Sequence, residues 1–413
     1  MNSSPDTISE RSTDRYRQKR EAILNAACQL FDENGIKGTM LSEVAAKVGL
    51  STNSITYYFK KKEDLVYECL MHTTNTISNI TEIAAKETTP LARIEKFLRE
   101  FSSMLMECAE GRYPSIMSFR DVAELDQSYT TVIFTAYSNM FRRTRLLLTD
   151  GSVNSANRTA LTVRTHLLLT QALWSRTWLS SFNPMHHERI INYICSIIIN
   201  GITVSPARWD ETDLLHRLAK VEVPESPYQG FLAAAIHLIN EVGYDGASID
   251  RISARMNVTK GSFYHHIPSK EDLFSECTKR TAQIIEGMQS ITLKDEQCGL
   301  EKLMALARGI TEFHFSPQGP LLRISAWSEI PNFTLMHDRI KPLRILVQSA
   351  AELLADGMAD GSIRVTQQQI AALLFIGMII GATSLQKWAP GFEKTNAIEL
   401  YILPFFNGLC SPL

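Results

Sequence analysis

Two short polar segments, Ser51–Tyr58 and Thr259–His266, hold the side chains of this chain best equipped for chemistry. They carry hydroxyls (Ser51, Thr52, Ser54, Thr56, Thr259, Ser262), an amide (Asn53), rings with polar tips (Tyr57, Tyr58, Tyr264) and imidazoles (His265, His266). Cations stand within or just beyond them (Lys62, Lys260, Lys270). Such a set exchanges hydrogen bonds with phosphates and base edges. Bond-making chemistry has no footing elsewhere in the sequence. There is no phosphate loop, no G-x-S-x-G turn, no cluster at metal-ligand spacing and no paired His/Cys arrangement. His265 and His266 are adjacent, so their rings diverge on a helix, and no third ligand is spaced nearby. The expectation is a chain that is not an enzyme and needs neither cofactor nor metal.

Both segments occupy the same place in an internal repeat. Subtracting 208 from each position of Leu232–Cys277 lands on Leu24–Cys69 without a gap. Identical pairs include Ala26/Ala234, Leu30/Leu238, Gly35/Gly243, Ser54/Ser262 and the run Lys62–Leu65/Lys270–Leu273. Weaker echoes follow: Asp150-Gly151 beside Asp360-Gly361, Trp178 beside Trp388, Asn200-Gly201 beside Asn407-Gly408. A period this long, used twice, marks a duplicated domain pair in which one polypeptide replaces a homodimer.

The elements that must position the polar segments are short helices. Ile23, Ala26, Ala27, Leu30 and Phe31 recur at helical spacing, as do Phe231, Ala234, Ala235, Leu238 and Ile239. Gly35 and Gly243 stand where a residue of positive φ ends that helix. Second helices are expected over Ser42–Val48 and Ile249–Met256. Three-residue turns follow, Gly49-Leu50-Ser51 and Asn257-Val258-Thr259, with Ser51 and Thr259 as N-caps of third helices reaching Tyr58 and His266. Fourth helices begin near Lys62 and Lys270, the latter with Ser269 and Asp272 as a capping pair. Helix, tight turn, helix with an exposed polar face is a helix-turn-helix, and it occurs here twice.

At these residues the chain resembles the TetR family of bacterial transcriptional regulators. The likeness rests on Ala26-Ala27-x-x-Leu30-Phe31-x-x-x-Gly35, on Ser51 through Leu65, and on Val258 through Leu273. It covers about 50 residues in each copy. The resemblance implies an all-α fold of two tandem units, each a three-helix DNA-binding domain followed by a helical ligand-binding and dimerisation domain, arranged as an intramolecular pseudo-dimer. Expected domains are 1–70, 71–202, a linker 203–227, 228–278 and 279–413.

A recognition helix in a major groove reads bases with its N-terminal and outward side chains while flanking groups hold phosphates. In the first copy Thr52, Asn53, Ser54 and Thr56 are the base-edge candidates. Tyr57, Tyr58 and Lys62 take the phosphate roles that matching positions have in the family. In the second copy Lys260, Ser262 and Tyr264 face bases or phosphates, with His265, His266 and Lys270 on the backbone, and Gly261 admits close main-chain approach. The copies differ in charge. Ten cations face eight acids over residues 11–70, whereas six face eight over residues 221–280. The basic run Arg11–Arg20 has no counterpart before Phe231, so the first copy is expected to supply more phosphate affinity. Thr56, Asn53, Asn257 and Ile267 depart from the family pattern. The expected operator is therefore an imperfect palindrome with unlike half-sites.

Beyond the heads the chain is helical and apolar. Helices are expected over Leu91–Cys108, Tyr113–Leu125, Gln127–Thr149, Asn157–Ser181 and His187–Asn200. The second half repeats them over Glu301–Phe315, Pro320–Glu329, Thr334–Asp356, Gln367–Lys387 and Ala397–Phe406. Leu161–Trp178 is expected to pack on Ile370–Trp388. Candidates to line a pocket for a small-molecule effector are Met104, Tyr113, Met117, Phe134 and Trp174, then Phe313, His314, Trp327, Met336 and Phe375. The leading expectation is a repressor released by that effector. The alternative is an interaction module in which only the first helix-turn-helix binds DNA.

Composition agrees with this class. The chain has 413 residues, 45% hydrophobic and 21% charged, with a net charge of −2, so any basic surface must be local. The polar start, Met1 to Ser12, lacks a signal-peptide core, and the longest apolar run, Ala371–Ala382, falls well short of the ~20 residues a span needs. Seven scattered cysteines without C-x-x-C suit free thiols. A soluble cytoplasmic protein is expected, without a membrane partner, either a monomeric pseudo-dimer or a further homodimer.

Overall fold

Apolar side chains at every third or fourth position, interrupted by glycine and proline, cut this chain into helices that each bury one face. The computed structural model describes residues 5–119, 122, 125–151, 153, 157–208, 213–223, 229–259, 261, 267–323, 336–383, 385 and 398–412; within these, side chains at 5–13, 245, 336–342 and 398–399 are excluded. The first copy contributes α1 (Pro5–Gly38), α2 (Leu41–Lys47), α3 (Thr52–Tyr58), α4 (Lys62–Ala84), α5 (Pro90–Ala109), α6 (Gln127–Leu146), α7 (Arg158–Ser175) and α8 (His187–Asn200). A short α9 (Asp213–Leu218) precedes the second copy. There follow α10 (Gln229–Gly246), α11 (Ile249–Arg255), α12 (Lys270–Leu293), α13 (Gly299–His314), α14 (Met336–Asp360), α15 (Gln368–Ala382) and α16 (Leu403–Asn407). Among the described residues there is no strand, only an isolated bridge between Thr203 and Ile363. No described helix is long and apolar enough to cross a membrane.

The chain divides into two compact units, residues 1–80 with 103–140, and residues 81–102 with 141–413. In the first unit, Ile23, Ala27, Phe31, Val44, Ile55, Leu65, Val66 and Leu70 form one buried cluster from α1 to α4. Each fully buried aliphatic or aromatic side chain contributes roughly 1.5–3 kcal/mol of transfer free energy. In the second unit Leu232, Ala235, Leu238, Ile252, Ile267, Leu273 and Phe274 build the equivalent cluster. Gly35 and Gly243 interrupt α1 and α10 at φ 75° and 76°, as the sequence leads one to expect.

Residues 113–119 are not the helix that their apolar spacing suggests. They run as an irregular segment, because donors and acceptors on distant helices replace the helical ladder. Asn25 Oδ1 accepts from the Ser115 N–H (2.8 Å), Thr73 Oγ1 from Met117 (3.0 Å) and Asp32 Oδ1 from Ser118 (3.0 Å). The His72 ring lies 3.4 Å from the Pro114 carbonyl. The second copy repeats this lacing in the second unit. Thr281 accepts from Leu322 (3.0 Å), Asn240 accepts from Arg323 (2.9 Å), and the Arg280 guanidinium donates to the Pro320 carbonyl (3.5 Å). Thr281, Asn240 and Arg280 are the repeat mates of Thr73, Asp32 and His72. Residues 320–323 are likewise non-helical, and the rest of the helix expected there lies outside the described residues.

Within the second unit α7 packs on α15. Gln171 Nε2 donates to the Leu374 carbonyl (2.8 Å), Trp174 Nε1 to Leu373 (2.7 Å), and the His166 ring meets the Gly381 carbonyl at 3.0 Å. This is the meeting of apolar runs that the sequence implies, although Trp388 lies outside the described residues. The Asn-Gly echoes meet at a seam. Ile202 N–H donates to Phe406 O (2.8 Å) and Leu409 N–H donates to Ile198 O (2.9 Å), so each copy's end bonds the other's. Gly201 and Gly408 both have positive φ, 69° and 97°, and a Cβ on either would strike the opposite main chain.

The expected linker is partly built into the fold. Asn407 brackets Ala207 with two bonds, 2.7 Å to its N–H and 2.9 Å to its carbonyl. α9 buries Leu214, Leu215 and Leu218, with Leu218 seated on Gly309 of α13 and Arg217 paired with Asp295.

Candidate nucleic-acid interface

The turn between α2 and α3 sets the interface. α2 ends when Gly49 takes φ 65°, which lets the Leu50 N–H return to the Ala45 carbonyl at 2.9 Å. The second copy makes the same turn with Asn257 at φ 57° and Val258 N–H on Ser253 O at 3.0 Å. Asparagine tolerates this conformation better than most residues, which explains how it replaces glycine here.

α3 is then oriented from both ends. Ser51 Oγ caps it by accepting from the Ser54 N–H (3.3 Å), a bond worth ~1 kcal/mol. Ile55 is fully buried on its inner side and Phe59, just past its end, is also buried. The outer side is left to Thr52, Asn53, Thr56 and Tyr57, all exposed, with Ser54 half-buried. Tyr57 is 74% exposed. Tyr58 instead packs partly on the head's core, so the adjacent tyrosines divide into one outward and one inward ring. The Thr56 hydroxyl donates to the Asn53 carbonyl (2.8 Å) and keeps its acceptor lone pairs. Lys62 opens α4, where Asp64 accepts from the Lys61 N–H (3.1 Å) and from the Tyr129 hydroxyl (2.6 Å). That carboxylate raises the Tyr129 phenol above its ordinary range.

In the second head Thr259 and Gly261 are exposed. Lys260, Ser262, Tyr264, His265 and His266 lie outside the described residues. Ile267 is buried in the slot its repeat mate Phe59 fills, so that departure preserves the core. The Lys270 ammonium sits 4.2 Å above the Tyr244 ring, and Arg255 is engaged by Glu241 at 2.9 and 3.1 Å. Both cations are thus engaged by their own head, while Lys60 and Lys61 of the first head are exposed.

The structure groups some pocket candidates and separates others. Met104, Tyr113 and Met117 gather along one side of α4 in the first unit. The Tyr113 hydroxyl is 3.3 Å from Thr76, its ring is stacked near His72, and Met104 meets Cys108, which also donates to Pro114. Burial lowers the His72 ring's pKa. Phe134 is 49% exposed on α6, whereas Trp174 and Phe375 belong to the α7–α15 contact region and to its buried core. Phe313 is buried, and His314 Nδ1 accepts from the Leu321 N–H (3.3 Å). Trp327 and the Met336 side chain lie outside the described residues. What sequence reasoning missed is the lacing by Asn25, Asp32 and Thr73 and by Asn240 and Thr281; the return of Asp32 and Thr73 as Asn240 and Thr281 at the 208-residue offset was the available signal. Among the described residues no cluster of three or more His, Cys, Asp or Glu could hold a metal ion.

Parts of the chain are similar to known proteins. The model for "Bacterial regulatory proteins, tetR family" matches twice, at residues 23–69 and 231–277. Similar proteins include the HTH-type transcriptional repressor KstR2 of Mycolicibacterium smegmatis, 24% identical over 49% of this chain and 96% of its own length. The Transposon Tn10 TetC protein of Escherichia coli is 32% identical over 27% of this chain and 59% of its own. The IcaR negative regulator of Staphylococcus aureus is 23% identical over 40% and 85%. Among solved structures, AibR with isovaleryl coenzyme A and operator DNA aligns at TM-score 0.38 and 20% identity, over 44% of this chain and 98% of its own.

Proposed function

We propose that this chain, whose two heads each match the model of the TetR family of bacterial regulatory proteins, is a repressor that grips one operator with two unlike heads and releases it on binding a small molecule. The observation that carries this reading is the exposed polar face of α3, held by a buried Ile55 and a capped tight turn, with the same framework rebuilt in α10 and α11. Thr52, Asn53, Ser54 and Thr56 read base edges; Ser51, Tyr57, Tyr58 and Lys62 hold phosphates. Thr259, Lys260, Gly261, Ser262, Tyr264, His265, His266 and Lys270 do this in the second head. No catalysis is asked of the chain. KstR2 and IcaR are named for repression, which supports the sign of the regulation.

The two copies act as a pseudo-dimer, a reading supported by α7 on α15 and by the reciprocal bonds of the seam. The effector enters beside Met104 and Tyr113 in the first half and beside Phe313 and His314 in the second. In both places it adjoins the residues that lace the irregular segment onto the head. Displacing that segment pulls on Asp32 and Thr73, or Asn240 and Thr281, and so biases the head's orientation.

A mobility shift with the region upstream of its own gene tests this, using Tyr57→Ala and Tyr264→Ala. Both variants should weaken binding. Loss in only the first would favour the second reading, in which the second head docks something other than DNA; the charge difference between heads gives that reading its footing. No shift with either head intact would refute both.

A further inference from the structure

α1 does not stop where the first head's core ends. It continues toward Pro5, and its exposed part is registered on the recognition helix by two side chains one turn apart. The Tyr16 ring packs against Tyr58 at 4.9 Å and meets Tyr57 edge-on at 6.0 Å; Tyr57 and Tyr58 lie 5.2 Å apart. Four residues on, the Arg20 guanidinium lies 5.0 Å above Phe59 and pairs with Glu68 at 3.0 Å. Tyr16 is 40% exposed, so this three-ring cluster is a surface platform and adds little to the core. The same part of the helix presents two cations at i, i+4 spacing, Arg15 and Lys19. Arg17 closes on Asp14 at 2.8 Å, whereas Arg15 and Lys19 have no ion-pair partner among the described residues. Two cations with no ion-pair partner among the described residues thus stand on a helix clamped to the end of α3. The repeat places Pro224 opposite Tyr16, with Glu225 next to it, so the sequence gives the second head no such device.

We infer that Tyr16 is a positioning residue that fixes the N-terminal extension of α1 against α3, so that Arg15 and Lys19 take two further DNA phosphates flanking the groove the first head enters. The inference rests on the reading of α3 as a recognition helix. An acidic peptide would also attract these cations, but the platform ties them to the helix that faces DNA, and a nucleic-acid backbone is the anion met there.

The test is the salt dependence of binding, measured by fluorescence anisotropy on two labelled duplexes, one from the region upstream of the gene and one of arbitrary sequence. Each phosphate neutralised contributes ~0.9 to the slope of log affinity against log salt, so the double variant Arg15→Ala/Lys19→Ala should make the slope less negative by about 1.8 on both duplexes. Tyr16→Ala removes no charge yet should reproduce most of that change, while Tyr16→Phe, which keeps the ring, should match the parent. Circular dichroism and thermal unfolding of each variant verify the fold; the exposed positions predict no loss. A Tyr16→Ala slope equal to the parent's, with or without weaker binding, overturns the inference while leaving the recognition helix intact. Absence of any preference for the upstream duplex, with Asn53→Ala indistinguishable from the parent, overturns the underlying reading and this inference with it.

Discussion

Asp32 and Asn240 do the same work with different chemistry: one offers a carboxylate and the other an amide oxygen to a main-chain N–H about 85 residues away. Thr73 and Thr281 do theirs with the same hydroxyl. Replacing Thr73 by valine keeps the volume but leaves the buried Met117 N–H without a partner, which costs about 1–3 kcal/mol. Urea unfolding of Thr73→Val and Thr281→Val should show losses in that range; neutral substitutions would mean the lacing is incidental. A second residue-scale prediction concerns pH. Burial pushes the His166 ring from its ordinary 6.5 down to about 4, against one opposing hydrogen bond to Gly381. The unfolded chain takes up the proton first, so stability is full above about pH 6.5 and drains away as pH falls toward 4. The total for this histidine is roughly 3 kcal/mol at the acid end. His166→Gln should flatten the pH profile between those values, and an unchanged profile would show that other groups govern it.

At the scale of elements, the sequence was a good guide wherever a residue type alone constrains the backbone. Gly35, Gly243, Gly49 and Asn257 adopt the positive φ their positions demand, and Ser269 caps α12 by accepting from Asp272 N–H at 3.0 Å. It misled where apolar spacing was the whole signal. Ile116 and Met117 are buried, as in a helix, but their segment includes Pro114 and draws its bonds from α1 and α4, contacts that no local window contains. The docking of α9 was equally hidden, because it depends on Gly309 leaving a hollow for Leu218. The exposed polar face of α3 was legible in outline; the packing of Tyr58 against Tyr16 was not, because the repeat gave no reason to single Tyr16 out. The seam invites a direct test. Gly201→Ala or Gly408→Ala forces a Cβ into the opposite main chain at a position already of positive φ, and should cost about 3 kcal/mol or more, seen as a drop in Tm. Gly111→Ala also carries positive φ, 73°, but meets open space, and serves as the milder control.

For the molecule as a whole, the charge asymmetry between heads predicts a footprint that is not symmetric. Hydroxyl-radical footprinting should show stronger backbone protection over the half-site read by the first head, and that protection should fall more steeply as salt rises. Equal protection of two identical half-sites would contradict unlike heads. For the proposed pseudo-dimer, sedimentation should report a species near 46.5 kDa at the concentrations where DNA is bound.

The Gly201–Gly408 seam has a further consequence. An ordinary two-chain regulator must first find its twin, and at a few molecules per cell that search can limit occupancy of the site. In the proposed pseudo-dimer the twin is covalently present, so occupancy should follow a simple first-power dependence on the number of molecules, down to a single copy. The same covalent tie frees each half from mirroring the other. A substitution appears once instead of twice, which lets the halves drift toward different sequences and different signals without the mixed assemblies that separate genes would produce.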